Sequence, residues 1–188
     1  RAPQLSAHYF FNRYKQVCPY GMRSICHYAC SEKSVSAGDL IFSFGECPRR
    51  PAMLFVHNGK LRYVQESGQR SYVEAGQWIS EAVLWTTWSH YGTLSAMTEC
   101  DLLVLDSSGF QDIVSRFHLM FFDPSDYATE FVRKLNRSRD EDISDLECEY
   151  QRGGTRLAFR SSYCKKQLMF EMVTANGKKK RRQSDGER

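Results

Sequence analysis

The sequence predicts a mainly β domain with flanking helices, an eight-stranded antiparallel β-barrel of the jelly-roll kind. Short apolar runs separated by turn residues recur from Val35 to Asp106, the rhythm of a barrel and not of a helical bundle. Apolar residues at helical spacing frame this stretch on both sides. The chain has 188 residues, 41% of them hydrophobic, which is the size of about one domain with enough apolar surface for one core.

Residues 1–34 form a helical lead-in. Tyr9, Phe10, Tyr14 and Val17 recur at helical intervals, as do Met22, Ile25 and Ala29 after the break at Pro19–Gly21. Leu40–Phe44 is a strand ended by Gly45, and Ala52–Val56 is a second. The turn His57-Asn58-Gly59 follows, because Asn and Gly both tolerate positive φ, and Lys60–Gln65 pairs back across it. A turn near Ser67–Gly68 leads to Ser71–Glu74, and Thr93–Met97 and Leu102–Leu105 close the series. Phe110, Ile113, Val114 and Phe117 then share one helix face. The next helix begins at Asp123-Pro124, with Asp123 as cap, Pro124 in the first turn and Asp126 adding negative charge, and it runs to Asn136. Residues 35–136 thus form the barrel with its C-terminal lid helices. Residues 137–175 are a charged extension in which Thr155–Phe159 and Gln167–Val173 read as two strands or as a strand and a helix, and 176–188 are a disordered basic tail.

Composition narrows the function. A net charge of +4, much of it in the tail, gives no reason to expect specific nucleic-acid binding. The seven cysteines contain no C-x-x-C pair and read as reduced thiols of a cytoplasmic protein. Cys26, His27 and Cys30 are the most metal-like cluster, but no second cluster completes the four ligands of a zinc site, so a buried helix face is the better reading and no metal is expected. Apolar runs are only a few residues, far short of the ~20 that span a bilayer. The chain starts at Arg1 and not at Met, as expected of a piece of a longer protein. With no H-x-H pair, no G-x-S-x-G and no P-loop, no catalytic residue is assigned and the chain is expected not to be an enzyme.

Specific motifs then appear. Ala37-Gly38-Asp39-Leu40-Ile41-Phe42, Gly45-Glu46, Met53-Leu54-Phe55-Val56 and Gly59-Lys60-Leu61 resemble the opening of a cyclic nucleotide-binding domain. Gly76-Gln77-Trp78-Ile79-Ser80-Glu81-Ala82-Val83-Leu84 resembles the start of that family's phosphate-binding cassette, and Thr93–Ala96 and Leu103–Asp106 its last strands. The lead-in His8-Tyr9-Phe10-Phe11 and the Cys26–Ala29 stretch are most similar to the cytoplasmic C-terminal modules of cyclic-nucleotide-gated and voltage-gated channels.

The resemblance implies a cytoplasmic sensor, on the cytoplasmic face of a membrane if its parent is a channel. Its ligand would be cAMP or cGMP, and its partners would be other domains or subunits of the parent channel. It implies a nucleotide site at Ser80, Glu81, Ala82, His90 and Tyr91. Glu81 would accept a ribose hydroxyl, and the short helix of Ala82, Val83 and Leu84 would offer N–H groups to the phosphate. The cassette departs from the family in two places: Ser80 stands for a glycine, and His90 for the arginine that forks onto the phosphate. Loss of that contact costs about 1.5–3 kcal/mol, a tenfold to hundredfold loss of affinity, so nucleotide binding is expected to be weak. The alternative is a non-binding interaction or assembly module that keeps the fold only. Trp78, Trp85 and Trp88 read as core and rim. In the tail, the five cations Lys178–Arg182 precede Ser184 in the pattern R-R-x-S. This suggests a contact with an anionic membrane surface, weakened by phosphorylation of Ser184.

Overall fold

The computed structural model describes residues 1–117, 122–138 and 143–146. Its helical lead-in consists of α1 (Ala2–Leu5), α2 (Tyr9–Val17), α3 (Pro19–Ser24) and a π-helical turn over Ile25–Ala29. Eight strands follow: β1 (Cys30–Val35), β2 (Leu40–Phe42), β3 (Ala52–Asn58), β4 (Lys60–Gln65), β5 (Arg70–Glu74), β6 (Trp78–Ile79), β7 (Gly92–Ala96) and β8 (Cys100–Asp106). A 3₁₀ turn over Glu81–Leu84 interrupts them, and α4 (Ser107–Val114) and α5 (Pro124–Arg137) close the described fold.

The strands form two four-stranded antiparallel sheets, in the orders β1-β8-β3-β6 and β2-β7-β4-β5. This is the expected jelly roll, with the barrel left open between the two sheets. One pairing and two strands differ from expectation. Lys60–Gln65 does not pair back onto Ala52–Val56: β4 pairs with β5 and β7 and β3 with β6 and β8, so the Asn58-Gly59 turn passes the chain between the sheets. Residues 30–34, assigned to the helical lead-in, pair with β8 as β1. Only Cys30 and Val35 of this strand are buried; a polar edge strand has no alternation to betray it. The two-residue β6 was missed because it is too short to carry a period.

Alternation along β3 and β8 divides the core. Leu54, Val56 and Leu102 point between the sheets, where they meet Val35, Phe42, Leu61, Tyr63, Val73, Ile79 and Leu94. Met53, Phe55, Leu103 and Leu105 point the other way, onto Phe10, Phe11, Trp85 and Phe110. These two strands are therefore buried on both faces, helices on one side and the second sheet on the other. All three tryptophans are buried. At the β3–β4 turn Gly59 has φ +93° and packs onto Cys100, so both conformation and space require glycine there. Asp123 caps α5 as expected, accepting from Ser125 N at 2.8 Å. No helix among the described residues is long and apolar enough to cross a membrane.

Candidate functional site

The cassette lies between β6 and β7. Ser80, buried, occupies the left-handed region with φ 63°. That geometry suits glycine; for a serine it stores strain of about 1–3 kcal/mol. The Ser80 hydroxyl is also buried without a hydrogen-bond partner among the described residues. Ala82, in the 3₁₀ turn, is buried against the helical side of the core.

Glu81 points into that same helical side. Its Oε2 lies 2.9 Å from His8 Nε2, its side chain 12% exposed and that of His8 fully buried. Its Oε1 accepts from Tyr127 Oη at 2.8 Å and from Trp85 Nε1 at 3.2 Å. His8 also caps α2, its Nδ1 accepting from Phe10 N at 3.1 Å. An Nδ1 that accepts leaves the ring proton on Nε2, facing Glu81. Burial pushes the Glu81 carboxyl up, but the His8 imidazole and the hydrogen bonds from His8, Tyr127 and Trp85 outweigh it and hold the carboxyl below its usual range. Burial first, and then the Glu81 charge, push the Tyr127 hydroxyl far up, so it stays a donor. Glu81 thus joins the cassette to α2 and α5.

His90 faces the other way; Tyr91 turns only its backbone N–H there, its side chain packing on the helical side. The His90 ring stacks on Phe42, with centroids 3.6 Å apart and planes 6° from parallel. Its backbone is fixed to the turn after β2, with His90 N donating to Glu46 O at 3.0 Å and Gly45 N donating to His90 O at 2.8 Å. His90 Nδ1 lies 2.8 Å from Asp145 Oδ1, which also accepts from Trp88 Nε1 at 2.7 Å. Asp145 Oδ2 accepts from Tyr91 N at 2.7 Å and Tyr63 Oη at 2.8 Å. Each carboxylate oxygen has two donors, and the side chain is fully enclosed.

Tyr63 is held by Gly92 on the neighbouring strand, where a Cβ would lie 2.6 Å from the Tyr63 oxygen. Burial and the Asp145 charge push the Tyr63 hydroxyl well up, so it too remains a donor. The backbone around Asp145 is also engaged. Ser80 N donates to Asp145 O at 2.6 Å, Asp145 N donates to Tyr63 Oη at 3.2 Å, and Leu146 bridges Ile79 antiparallel. Leu146 packs among the residues between the sheets, and Ile143 is buried on the helical side.

Of the five residues expected to hold a nucleotide, His90 and Tyr91 meet at one carboxylate, and Ser80 binds the same segment through its backbone. Glu81 and Ala82 belong to the helical side. The cradle also uses Tyr63, Trp88 and Asp145. Trp88 and Tyr63 look like ordinary core aromatics in the sequence. Asp145 stands in a charge-rich stretch; the one visible signal is the apolar pair Ile143 and Leu146 flanking Ser144-Asp145 there. Among the described residues no group of three His, Cys, Asp or Glu could hold a metal. Cys18, Cys26, Cys30, Cys47 and Cys100 are free thiols, and Cys30 begins β1, off the helix face expected to carry it with Cys26. Burial raises the Cys30 thiol to about 12, which leaves it protonated. Ser184 and the basic run lie outside the described residues.

Two antiparallel sheets, the glycine turns and a 3₁₀ turn before β7 define the class of the fold as a jelly roll. Residues 32–117 match the family model of the cyclic nucleotide-binding domain. Solved structures share the fold at low identity. The sensor domain of the transcriptional regulator DNR from Pseudomonas aeruginosa has 14% identity and a TM-score of 0.54, over 72% of this chain and 91% of that one. The regulatory domain of Toxoplasma gondii PKA, crystallised with cAMP, has 19% identity and a TM-score of 0.53, over 72% and 47%. The C-linker/CNBHD of zELK channels has 17% identity and a TM-score of 0.50, over 58% of this chain and 59% of that one. The chain therefore spans well under two thirds of that channel fragment. No curated protein matches it.

Proposed function

We propose that this chain is a regulatory domain of a larger, channel-type protein whose nucleotide cassette is filled by its own segment 143–146. Its role is to transmit or hold a conformation, with no catalysis. One observation carries the reading: Asp145 puts a carboxylate between His90 Nδ1 and Tyr91 N, at 2.8 and 2.7 Å, where the family resemblance expects a phosphate. Glu81, the expected ribose partner, is at the same time tied to His8 and Tyr127. A cyclic nucleotide must displace the first carboxylate and detach the second. The channel context rests on the helical lead-in and on the likeness to the zELK module.

Melting of the full chain with cAMP or cGMP tests the reading, since a ligand of the folded state raises Tm by mass action. No shift is expected at nucleotide concentrations up to about 1 mM. A shift of several degrees at micromolar nucleotide overturns it in favour of a nucleotide sensor. The membrane contact of residues 178–182 is a separate proposal, tested by co-sedimentation with anionic and neutral vesicles, with and without Ser184→Asp.

A further inference from the structure

We infer that the cradle is a receptor for an aspartate carried on an extended peptide, and that it accepts such a strand from a partner protein in place of segment 143–146. The inference rests on the self-filled reading above and names the ligand class of the same site.

Four groups converge on one carboxylate: Tyr63 Oη, Trp88 Nε1, His90 Nδ1 and Tyr91 N. Neither lysine nor arginine is among them. Two groups read peptide backbone: Ser80 N binds the aspartate carbonyl, and Tyr63 Oη, already on the carboxylate, also accepts from the aspartate N–H. The antiparallel bridge from Ile79 to the following leucine extends β6. β6 is an edge strand, with β3 on its one sheet neighbour side, and an edge strand is a template for a further extended chain. Leu146 fills the apolar space next to it. Carboxylate, backbone amide, carbonyl and leucine side chain are therefore all recognised together.

A cyclic nucleotide reproduces the anion alone. It carries no peptide N–H and carbonyl flanking the anion to meet Tyr63 and Ser80, and its ribose hydroxyl finds Glu81 engaged by His8, Tyr127 and Trp85. The site thus prefers a peptide carboxylate to a phosphodiester, and the pattern it reads is an extended Asp-Leu with an apolar residue two positions before the aspartate. The bound segment is in place in this chain, so a partner strand competes with it.

The test uses the full chain carrying Asp145→Ala, which empties the anion position. Acetyl-Ile-Ser-Asp-Leu-amide, its Asp→Asn counterpart and cAMP are titrated separately, with Trp88 fluorescence and calorimetry as readouts. The aspartyl peptide is expected to bind at least tenfold tighter than the asparaginyl peptide and tighter than cAMP. Wild type is expected to bind it at least tenfold more weakly than the variant. Equal binding of the two peptides, no binding of either, or preference for cAMP overturns the inference. Where Asp145→Ala does not fold, Asp145→Asn keeps the volume and the backbone contacts and is titrated in the same way. Nucleotide binding by wild type sinks the self-filled reading. A variant that prefers cAMP, beside a wild type that ignores it, sinks only the peptide preference.

Discussion

His90 and Asp145 stand 55 residues apart in the chain, and the imidazole Nδ1 meets the carboxylate at 2.8 Å in a buried setting. Three other donors complete the carboxylate's shell. Asp145→Ala leaves four donors facing a void, and removing one side of a buried polar cluster costs about 3–5 kcal/mol. A Tm drop of roughly 6–20 °C is expected by calorimetry, at about 2–4 °C per kcal/mol. A drop under about 2 °C would mean that the segment does not hold the cradle closed.

His90→Arg, which introduces the residue that the resemblance implies at this position, is expected not to confer nucleotide binding by itself. The guanidinium can stack on Phe42 as the imidazole does and pair with Asp145, which strengthens self-occupancy. The gain should appear only in the double variant His90→Arg/Asp145→Ala, with cAMP bound at least tenfold tighter than by Asp145→Ala alone. Calorimetry on the three variants checks this; tight binding by the single His90→Arg variant contradicts it.

Glu81 gives the fold an acid sensitivity. Its folded-state carboxyl lies below the ordinary value of 4.5, despite burial, because of His8, Tyr127 and Trp85. A lowered carboxylate stabilises the folded state at pH above about 4.5, and that contribution fades as pH falls through the lowered value. Glu81→Gln is expected to lower stability at pH 7 by about 1.5–3 kcal/mol for the lost charged hydrogen bonds, and Tm with it. The difference from wild type should shrink toward pH 3. A Tm difference that is the same at both pH values would show that Glu81 is not ionised in the folded chain.

Ser80→Gly is expected to stabilise. It relieves a serine at φ 63° and removes a buried hydroxyl without a partner among the described residues, against a glycine entropy cost of about 0.5–1 kcal/mol. A net gain of about 1 kcal/mol, read by urea denaturation, follows; a loss would show that the hydroxyl has a use the strain conceals.

Gly92→Ala is expected to disturb the cradle from the side, because the added Cβ would press on the Tyr63 ring and hydroxyl. Tyr63 would be pushed off Asp145, and protection of the Trp88 indole N–H against hydrogen exchange should fall more than that of β8 amides. Equal loss at both places would mark a general destabilisation.

The sequence by itself determined the jelly roll, because alternation and glycine turns are local signals. Lys60–Gln65 and Arg70–Glu74 pair across the Gly68 turn, and Asp123-Pro124 starts α5; the pairing expected across Asn58-Gly59 does not form, because that turn carries the chain from one sheet to the other. The sequence also carried one departure from the resemblance: a histidine stands at position 90, where the resemblance implies an arginine. Tertiary structure alone decided what these side chains face. No local pattern turns Glu81 toward His8, 73 positions earlier, or brings Asp145 to Tyr63, 82 positions away. A carboxylate in a charge-rich stretch looks solvated until the fold supplies donors for it. Burial makes those donors binding partners, since a buried carboxylate and buried N–H and O–H groups must satisfy one another once water is gone.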